Sequence, residues 1–345
     1  MVLPLIYNLL PMSVALRSYA KINFGLRIGP LRPDGFHGLF TIYRTIALHD
    51  RIRVELVEGT GIEIRCANPD VPTGEGNTCW RVAERVAASL NLRQRVIIEI
   101  EKHLPLQGGM GAASSNAIAC LFAIEQLAGR TLPPASRQEI AASVGSDLPL
   151  FLLGGTTLGT GRGELIQPLP DLPPWDLVVV TPQTGVSTPA AFAAWDRLQS
   201  SPGKDLPQVK LTPNPASGRI SEFNHAIDRW LGGIASGVLA RGGDRVEGSA
   251  ESAQPLLDFV RTGIENDFEQ VVFPEYPELS EVKRLLYQEG AFYASLSGSG
   301  STLYGVFPSA PESLAAATVL NRRGFKAAVS RTVGREEYGR NFTTG

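Results

Sequence analysis

The run Leu104-Pro105-Leu106-Gln107-Gly108-Gly109-Met110-Gly111-Ala112-Ala113-Ser114-Ser115-Asn116 sets glycines and hydroxyls ahead of Asn116 to Leu127, which is rich in Ala, Leu and Ile and free of glycine and proline. Glycines let backbone amides approach an anion closely, and the first amides of a helix have no intrahelical partner and lie at the positive end of its dipole. The chemistry this favours is polyphosphate binding. A Walker A loop is excluded, because no lysine lies between Gln107 and Asn116. A dinucleotide fingerprint starting at Gly109 fails as well: Ser114 takes the place of its third glycine, and no strand-end acid follows. The chain also lacks the His-Arg-Asp and Asp-Phe-Gly partners of a protein-kinase glycine loop. A plain strand-to-helix turn with a serine cap is the alternative reading of this run taken alone.

Further groups have types suited to group transfer. Arg17 to Leu26 places Lys21 and Asn23 two residues apart in an otherwise apolar strand, hence on one face. A lysine on a buried face needs a partner, and Asp147 in Gly145-Ser146-Asp147-Leu148-Pro149 is the acid proposed for it. By itself Asp147 reads equally as a turn aspartate. Leu296-Ser297-Gly298-Ser299-Gly300-Ser301-Thr302 is a second Gly/Ser loop, leading into a strand.

The elements that must position these groups follow from periodicity. Val96, Ile98 and Ile100 alternate with Ile97, Glu99 and Glu101, so a strand enters the glycine loop and a helix leaves it. Arg51 to Glu58 alternates as a strand, and Thr78 to Leu90 reads as a helix with Trp80, Ala83, Val86, Ala87 and Leu90 on one stripe and Asn77 as cap. Glu139 to Val144 reads as a helix stopped by Gly145, after which Asp147 to Phe151 enters an extended segment. Leu177 to Val180 and Thr302 to Phe307 read as strands; Leu256 to Phe268, Leu279 to Glu289 and Pro311 to Arg323 read as helices. A Gly/Pro/Ser-rich stretch from Gln199 to Gln254, with a short helix around Ile220, Phe223, Ile227 and Trp230, reads as an insertion acting as a linker or a substrate lid. Strands and helices mixed in this way predict an α+β fold with two lobes.

At 345 residues, 43% apolar and 19% charged, the chain falls in the globular class. Its net charge of -2 gives no global attraction for nucleic acid or an anionic membrane, so an anion site must be built locally. Arg17, Lys21, Arg27, Arg32, Arg44, Arg51 and Arg53 face only Asp34 and Asp50 between Leu16 and Arg53, mostly as a solvated basic surface. Cys66, Cys79 and Cys120 lie far apart, which argues against a disulfide framework and for a reducing cytoplasm. His37, His49, His103 and His225 lack metal-ligand spacing, and no structural zinc is expected. Met1 to Leu16 is apolar, without a basic leader and too short to span a bilayer; it reads as an extension, with Met12 as an alternative start.

The Lys21 strand, the Pro105 to Asn116 loop and the Ser297 loop resemble, in order and spacing, the three motifs of the GHMP family of small-molecule kinases. Ala20-Lys21-Ile22-Asn23, Arg32-Pro33-Asp34-Gly35-Phe36-His37, Gly145 to Pro149, Ser297 to Thr302 and Asn266-Asp267-Phe268-Glu269 are similar to the branch whose acceptor carries a cytidine diphosphate. The similarity runs from Ala15 to Val329 apart from the insertion. It implies a two-lobed GHMP kinase fold, with an N-terminal ATP-binding domain over 15–180, a ferredoxin-like C-terminal domain over 181–335 interrupted by an insertion at 199–254, an extension at 1–14 and a tail at 336–345.

The resemblance also implies roles. Asp147 accepts or orients the acceptor hydroxyl, with Lys21 beside it. Pro105, Gly108, Gly109, Met110, Gly111, Ala112, Ala113, Ser114, Ser115 and Asn116 wrap the ATP phosphates, with Ser115 near Mg²⁺, Lys102 reaching the nucleotide and Asn77 meeting the adenine. Phe36 stacks on cytosine and His37 bonds its polar edge, with Phe192 as the opposite wall; Asn23, Thr188, Ser297, Gly298, Ser299 and Gly300 complete the acceptor site. The implied reaction is ATP-dependent phosphorylation of a small-molecule hydroxyl in isoprenoid precursor synthesis, by a monomer or weak homodimer with no nucleic-acid or membrane partner. Two alternatives stay open: a homoserine, mevalonate or sugar acceptor, and a non-catalytic nucleotide-binding protein of the same fold. The sequence departs from the family at Gln107, Ala112 and Ala113, where glycines are usual and positive φ would be costly, and at Phe36, where tyrosine is usual.

Overall fold

The computed structural model describes residues 13–200 and 265–342. The expected helix around Ile220 to Trp230, most of the insertion and nearly all of the N-terminal extension lie outside the described residues.

Two long strands organise the molecule. β1 (Ser13–Leu31) and β2 (His37–Val57) pair antiparallel from Ser13↔Glu55 to Leu31↔His37, with register shifts after Tyr19, Phe24 and Ile28. β2 carries β1 on one edge. Its other edge is shared by β4 (Arg95–Glu101) on Arg51–Val57 and β5 (Thr156–Thr160) on Thr41–Arg44. β3 (Ile62–Cys66) beside β4 and β6 (Leu165–Pro168) beside β5 complete this sheet. The helices α1 (Thr78–Ser89), α2 (Ala112–Ala128) and α3 (Pro134–Val144) pack their apolar residues with the sheet's Val14, Ile52, Val54 and Ile98 into one core.

A second sheet runs β10 (Ala327–Arg331), β7 (Asp176–Val180), β9 (Leu303–Phe307), β8 (Tyr293–Leu296), every neighbour antiparallel. Its outer core is formed with α5 (Thr188–Ser200), α6 (Glu269–Glu275), α7 (Pro277–Gln288) and α8 (Ala310–Arg322). Between the two sheets lies a third cluster, where Ile22, Phe24, Ile42 and Ile46 of the first sheet meet Leu177, Val179, Tyr304 and Val306 of the second. Phe24 sits edge-on to Trp175 at 5.5 Å and to Tyr304 at 5.7 Å. Complete burial of each such side chain contributes about 1.5–3 kcal/mol, so the lobes are joined by a true core. No described helix is long and apolar enough to cross a membrane.

Several expectations need correction. The strand expected at Arg51 to Glu58 is the far half of β2; its near half is covered on both faces by cores and shows no clean alternation. Asp147 to Phe151 is a turn leading into the short helix α4 (Leu150–Leu153), because the Leu148 and Phe151 amides donate back to Gly145 and Leu148 at 3.4 and 3.0 Å. Gly145 has φ 179, an extended conformation, and so is not a left-handed stop. Of the helix expected at Leu256 to Phe268, the described end is a bridge from Asn266 to Leu26 followed by a turn. The buried stripe of α1 is Cys79, Val82, Ala83 and Val86, with Trp80 and Ala87 half-buried at its edge. Arg44 is not on a solvated surface: it is fully buried, its guanidinium bonded to Asp171 at 3.0 Å and to the Leu172 carbonyl at 2.8 Å, and burial lowers its pKa to about 10.

Two strips of chain cross the expected domain limits. β7 belongs to the second sheet although it precedes residue 181. In the expected tail, α9 (Arg335–Arg340) returns to the first lobe, where Tyr338 is buried and bonds the Phe151 carbonyl at 2.6 Å.

Candidate active site

The glycine loop leaves β4 and ends at Gly111, which caps α2 in a left-handed conformation with φ 66 and offers no side chain to the helix. The first helical bond runs from the Ser115 amide to the Gly111 carbonyl at 2.9 Å, so the Ala112, Ala113 and Ser114 amides have no intrahelical partner. Three such donors at a dipole's positive end are suited to an anion. Ala112 and Ala113 are helical, and Asn91 is the one non-glycine residue with positive φ among those described; the alanines and Gln107 therefore carry none of the anticipated backbone cost.

The second Gly/Ser loop closes on the first. The Ser297 hydroxyl donates to the Gly109 carbonyl at 3.0 Å, and the Thr302 amide donates to the Gly108 carbonyl at 3.3 Å. Gly109 has φ 71, and a Cβ there would fall on the Ser297 carbonyl oxygen. Asn266 steadies the far side, its amide donating to the Leu296 and Gly298 carbonyls at 2.9 and 2.7 Å, and Glu269 accepts from the Leu296 amide at 2.9 Å. Ser299 shares a 2.7 Å hydrogen bond with Thr188 at the start of α5. Met110 is buried in the inter-lobe cluster and contributes its carbonyl, which accepts from the Lys21 amide at 3.0 Å.

Lys21 and Asp147 meet beneath these loops. The Lys21 ammonium is 3.6 Å from Asp147 Oδ2, with the lysine side chain 3% exposed and the aspartate 35%. Lys21 also donates to Asn23 Oδ1 at 2.7 Å, and the same oxygen accepts from the Gly298 amide at 2.9 Å, so Asn23 joins the lysine to the second loop. Asn23 Nδ2 donates to Thr41, whose hydroxyl donates to the Gly25 carbonyl, which fixes the orientation of the amide. Burial lowers the Lys21 pKa, and Asp147 opposes that shift.

Asn77, Lys102, Gln107, Ala112, Ala113 and Asn116 line a cavity of about 330 Å³ beside the glycine loop. Asn77 spends its side chain on structure, accepting from the Cys79 amide and donating to the Pro72 carbonyl at 2.8 and 2.6 Å. Lys102 is bonded to Asp50 at 2.7 Å. Asp50, one of the two acids of the basic stretch Leu16 to Arg53, is fully buried and also accepts from the His103 and Leu104 amides at 2.7 Å and from Asn116 at 3.0 Å. It clamps both ends of the glycine loop to β2. The available signal was an acid in a predominantly basic strand region.

Phe36 is exposed, with the Arg162 guanidinium 4.7 Å over its ring. His37 stacks on Phe192 at 5.4 Å and 6°. Its Nδ1 lies 2.8 Å from the Gly29 carbonyl, which can only accept, so Nδ1 carries a proton. Nε2 is buried and lies 2.9 Å from Asp196 without forming an aligned hydrogen bond. Ser114 and Ser115 supply hydroxyl oxygens in the first turns of α2, and among the described residues no group of three or more His, Cys, Asp or Glu side chains forms a metal cage. Such a donor set suits Mg²⁺ carried mainly by phosphate oxygens.

The chain as a whole is similar to known proteins. A profile described as GHMP kinases N terminal domain matches residues 77–155, and one described as GHMP kinases C terminal matches 249–326. A 4-diphosphocytidyl-2-C-methyl-D-erythritol kinase of Solibacter usitatus (strain Ellin6076) is 36% identical over 85% of this chain and 80% of its own length. That of Geobacter sulfurreducens is 32% identical over 93% and 99%. A crystal structure of 4-(cytidine 5'-diphospho)-2C-methyl-D-erythritol kinase, 27% identical, superposes with a TM-score of 0.68 over 93% of this chain and all of the other. A homoserine kinase from Cytophaga hutchinsonii, 17% identical with a TM-score of 0.66 over 97% of this chain and 99% of its own, shares the fold.

Proposed function

The chain belongs to the GHMP kinase family, and from that membership we propose that it transfers the γ-phosphoryl group of ATP to the 2-hydroxyl of 4-diphosphocytidyl-2-C-methyl-D-erythritol, in non-mevalonate isoprenoid precursor synthesis. The observation that carries the site assignment is the meeting of Lys21 and Asp147 at 3.6 Å beneath the two joined glycine loops. Asp147, half in solvent, orients the acceptor hydroxyl and takes its proton as the new P–O bond forms and the bond from the γ-phosphorus to the bridging oxygen of ADP breaks, releasing ADP. The Lys21 ammonium offsets the charge that develops on that oxygen. Most of the acceleration comes from holding the two reactants in line, as expected for phosphoryl transfer.

The free amides of α2 and the Gly108 to Gly111 backbone hold the phosphates, and the cavity bounded by Asn77 and Lys102 receives the adenosine. The Ser115 hydroxyl would help to hold Mg²⁺, which would supply charge neutralisation at the phosphates. At the other end, His37 hydrogen-bonds the polar edge of cytosine, with the base stacked against Phe36. Loss of the family's tyrosine hydroxyl leaves that π face intact. The free thiols and the net charge of -2 accord with a cytoplasmic enzyme acting on a small molecule.

The test is phosphorus NMR of the products formed from ATP, Mg²⁺ and a panel of acceptors. Transfer confined to the cytidine-diphosphate acceptor, competition by CMP, and a fall of about a hundredfold or more in Asp147→Asn with ATP binding retained are the expected results. Undiminished turnover in Asp147→Asn, or indifference to CMP, overturns the assignment.

A further inference from the structure

We infer that Tyr43 is a positioning residue for phosphoryl transfer: its hydroxyl, 3.3 Å from Asp147 Oδ1, fixes which carboxylate oxygen faces the acceptor, and its ring is the floor under the Lys21 ammonium. The inference rests on the role given to Asp147 above. Tyr43 lies on β2 directly opposite Asn23 of β1, so the ring, the amide and the lysine share one face of the strand pair. It is 2% exposed, and the Lys21 nitrogen stands 5.4 Å from its ring centroid. The neighbouring chain leaves the ring no second position. A Cβ at Gly159 would run into the ring edge, and one at Gly163 would lie 2.6 Å from the hydroxyl. Both positions are glycine, which lets the β5–β6 hairpin close over the phenol.

The hydroxyl is a constant donor. Burial holds its pKa well above 10.0, and the negative charges of Asp147 and Glu164 push the same way. With Oδ1 engaged by Tyr43, Asp147 is left with Oδ2, the oxygen nearest Lys21, to meet the acceptor. The charged groups bearing on the pair are Lys21 from β1, Asp147 from the turn after α3 and Glu164 from the β5–β6 turn. Removing the hydroxyl frees the carboxylate to rotate, so Oδ2 is no longer held toward the acceptor.

The experiment compares wild type with Tyr43→Phe and Tyr43→Leu, using protein labelled with ¹³C at the aspartate carboxyls and Asp147→Asn to assign the resonance. In Tyr43→Phe the Asp147 carboxyl resonance is expected to change its chemical shift without any acceptor present, because the Tyr43 hydrogen bond is lost. With it kcat falls roughly three- to tenfold while KM for ATP stays unchanged. Tyr43→Leu, which also removes the floor under Lys21, loses more. An Asp147 carboxyl resonance that is the same in wild type and Tyr43→Phe, or an unchanged kcat, overturns the inference. If wild type transfers nothing to the cytidine acceptor, the functional reading fails by itself, and the carboxyl resonance still decides the placement of Tyr43.

Discussion

Gly109 and Ser297 stand 188 positions apart in the chain, and the serine hydroxyl donates to the glycine carbonyl at 3.0 Å. The contact is backbone-close in the other direction too, since the Gly109 Cα faces the Ser297 carbonyl with no room for a methyl group. One loop hangs from the first sheet and the other from the second. Phosphate cradle and acceptor loop are thus a single surface, whose geometry depends on the inter-lobe core holding its register.

Gly109→Ala tests that unity. The new Cβ meets a carbonyl oxygen that cannot rotate away, and the residue must hold φ 71 as well. ATP affinity is expected to fall by tenfold or more on the order-of-magnitude scale of a displaced loop. Gly339→Ala, with nothing within 4 Å of the added carbon, serves as the control. Calorimetric titration with a non-hydrolysable ATP analogue reads the difference, and equal affinities in the two variants would dismiss the coupling.

Lys21→Met separates stability from activity. The folded state lowers the lysine's pKa below 10.5, chiefly through burial, so between those two values the unfolded chain binds more protons and stability rises with pH. Below that window the charge is a constant cost, and a methionine of similar shape removes it. Asp147, 35% exposed, remains solvated without its partner. The variant should unfold at the same or a higher temperature than wild type at pH 7, lose its advantage as pH approaches 10.5, and turn over about a hundredfold more slowly or less. Thermal melts across pH check the first part; a clearly lower melting temperature at pH 7 contradicts it.

Local signals were legible in the sequence wherever one element satisfied its own needs. The Asn77 cap, the alternation of β4 and the glycines before α2 are all decided within a few residues, and they stand where periodicity put them. Features decided by distant chain were not. The upper half of β2 hides its pattern because both of its faces are covered, and α9 is drawn from a polar terminus by one tyrosine that finds the first core. The helical turn at Asp147 comes from Leu148 and Phe151 burying themselves together, which overrides the extended reading of an apolar run. In the candidate site, the residue types of Lys21, Asn23 and the loops carried a signal, whereas Asp50 and Tyr43 look ordinary until the strands are paired.

Thiol reactivity gives an independent check on the first core. Cys79 and Cys120 are fully buried; burial pushes the Cys79 thiol up to about 12 and raises that of Cys120 as well. Cys66 on β3 is half-buried. In native protein a thiol-specific reagent should label Cys66 alone on the fast timescale, and denaturant should release the other two. Fast labelling of Cys66→Ser would contradict this packing.

The last prediction concerns the Asp50 clamp. One carboxylate, with no exposed surface, receives the Lys102 ammonium and the Asn116 amide on Oδ2 and the His103 and Leu104 amides on Oδ1. Asp50→Asn keeps the shape, but turns an NH₂ toward two donors and leaves the Lys102 charge buried without a partner. Removal of one member of such a pair costs about 3–5 kcal/mol. Because His103 and Leu104 begin the glycine loop and Asn116 lies in α2, the loss should also reach nucleotide binding, with weaker ATP affinity in Asp50→Asn. Adding Lys102→Met removes the stranded charge, so the double variant should recover part of the stability. Denaturant unfolding of the two single variants and the double variant measures the coupling. Strict additivity would mean that the clamp carries no stability of its own, and unaltered ATP affinity in Asp50→Asn would detach it from the loop.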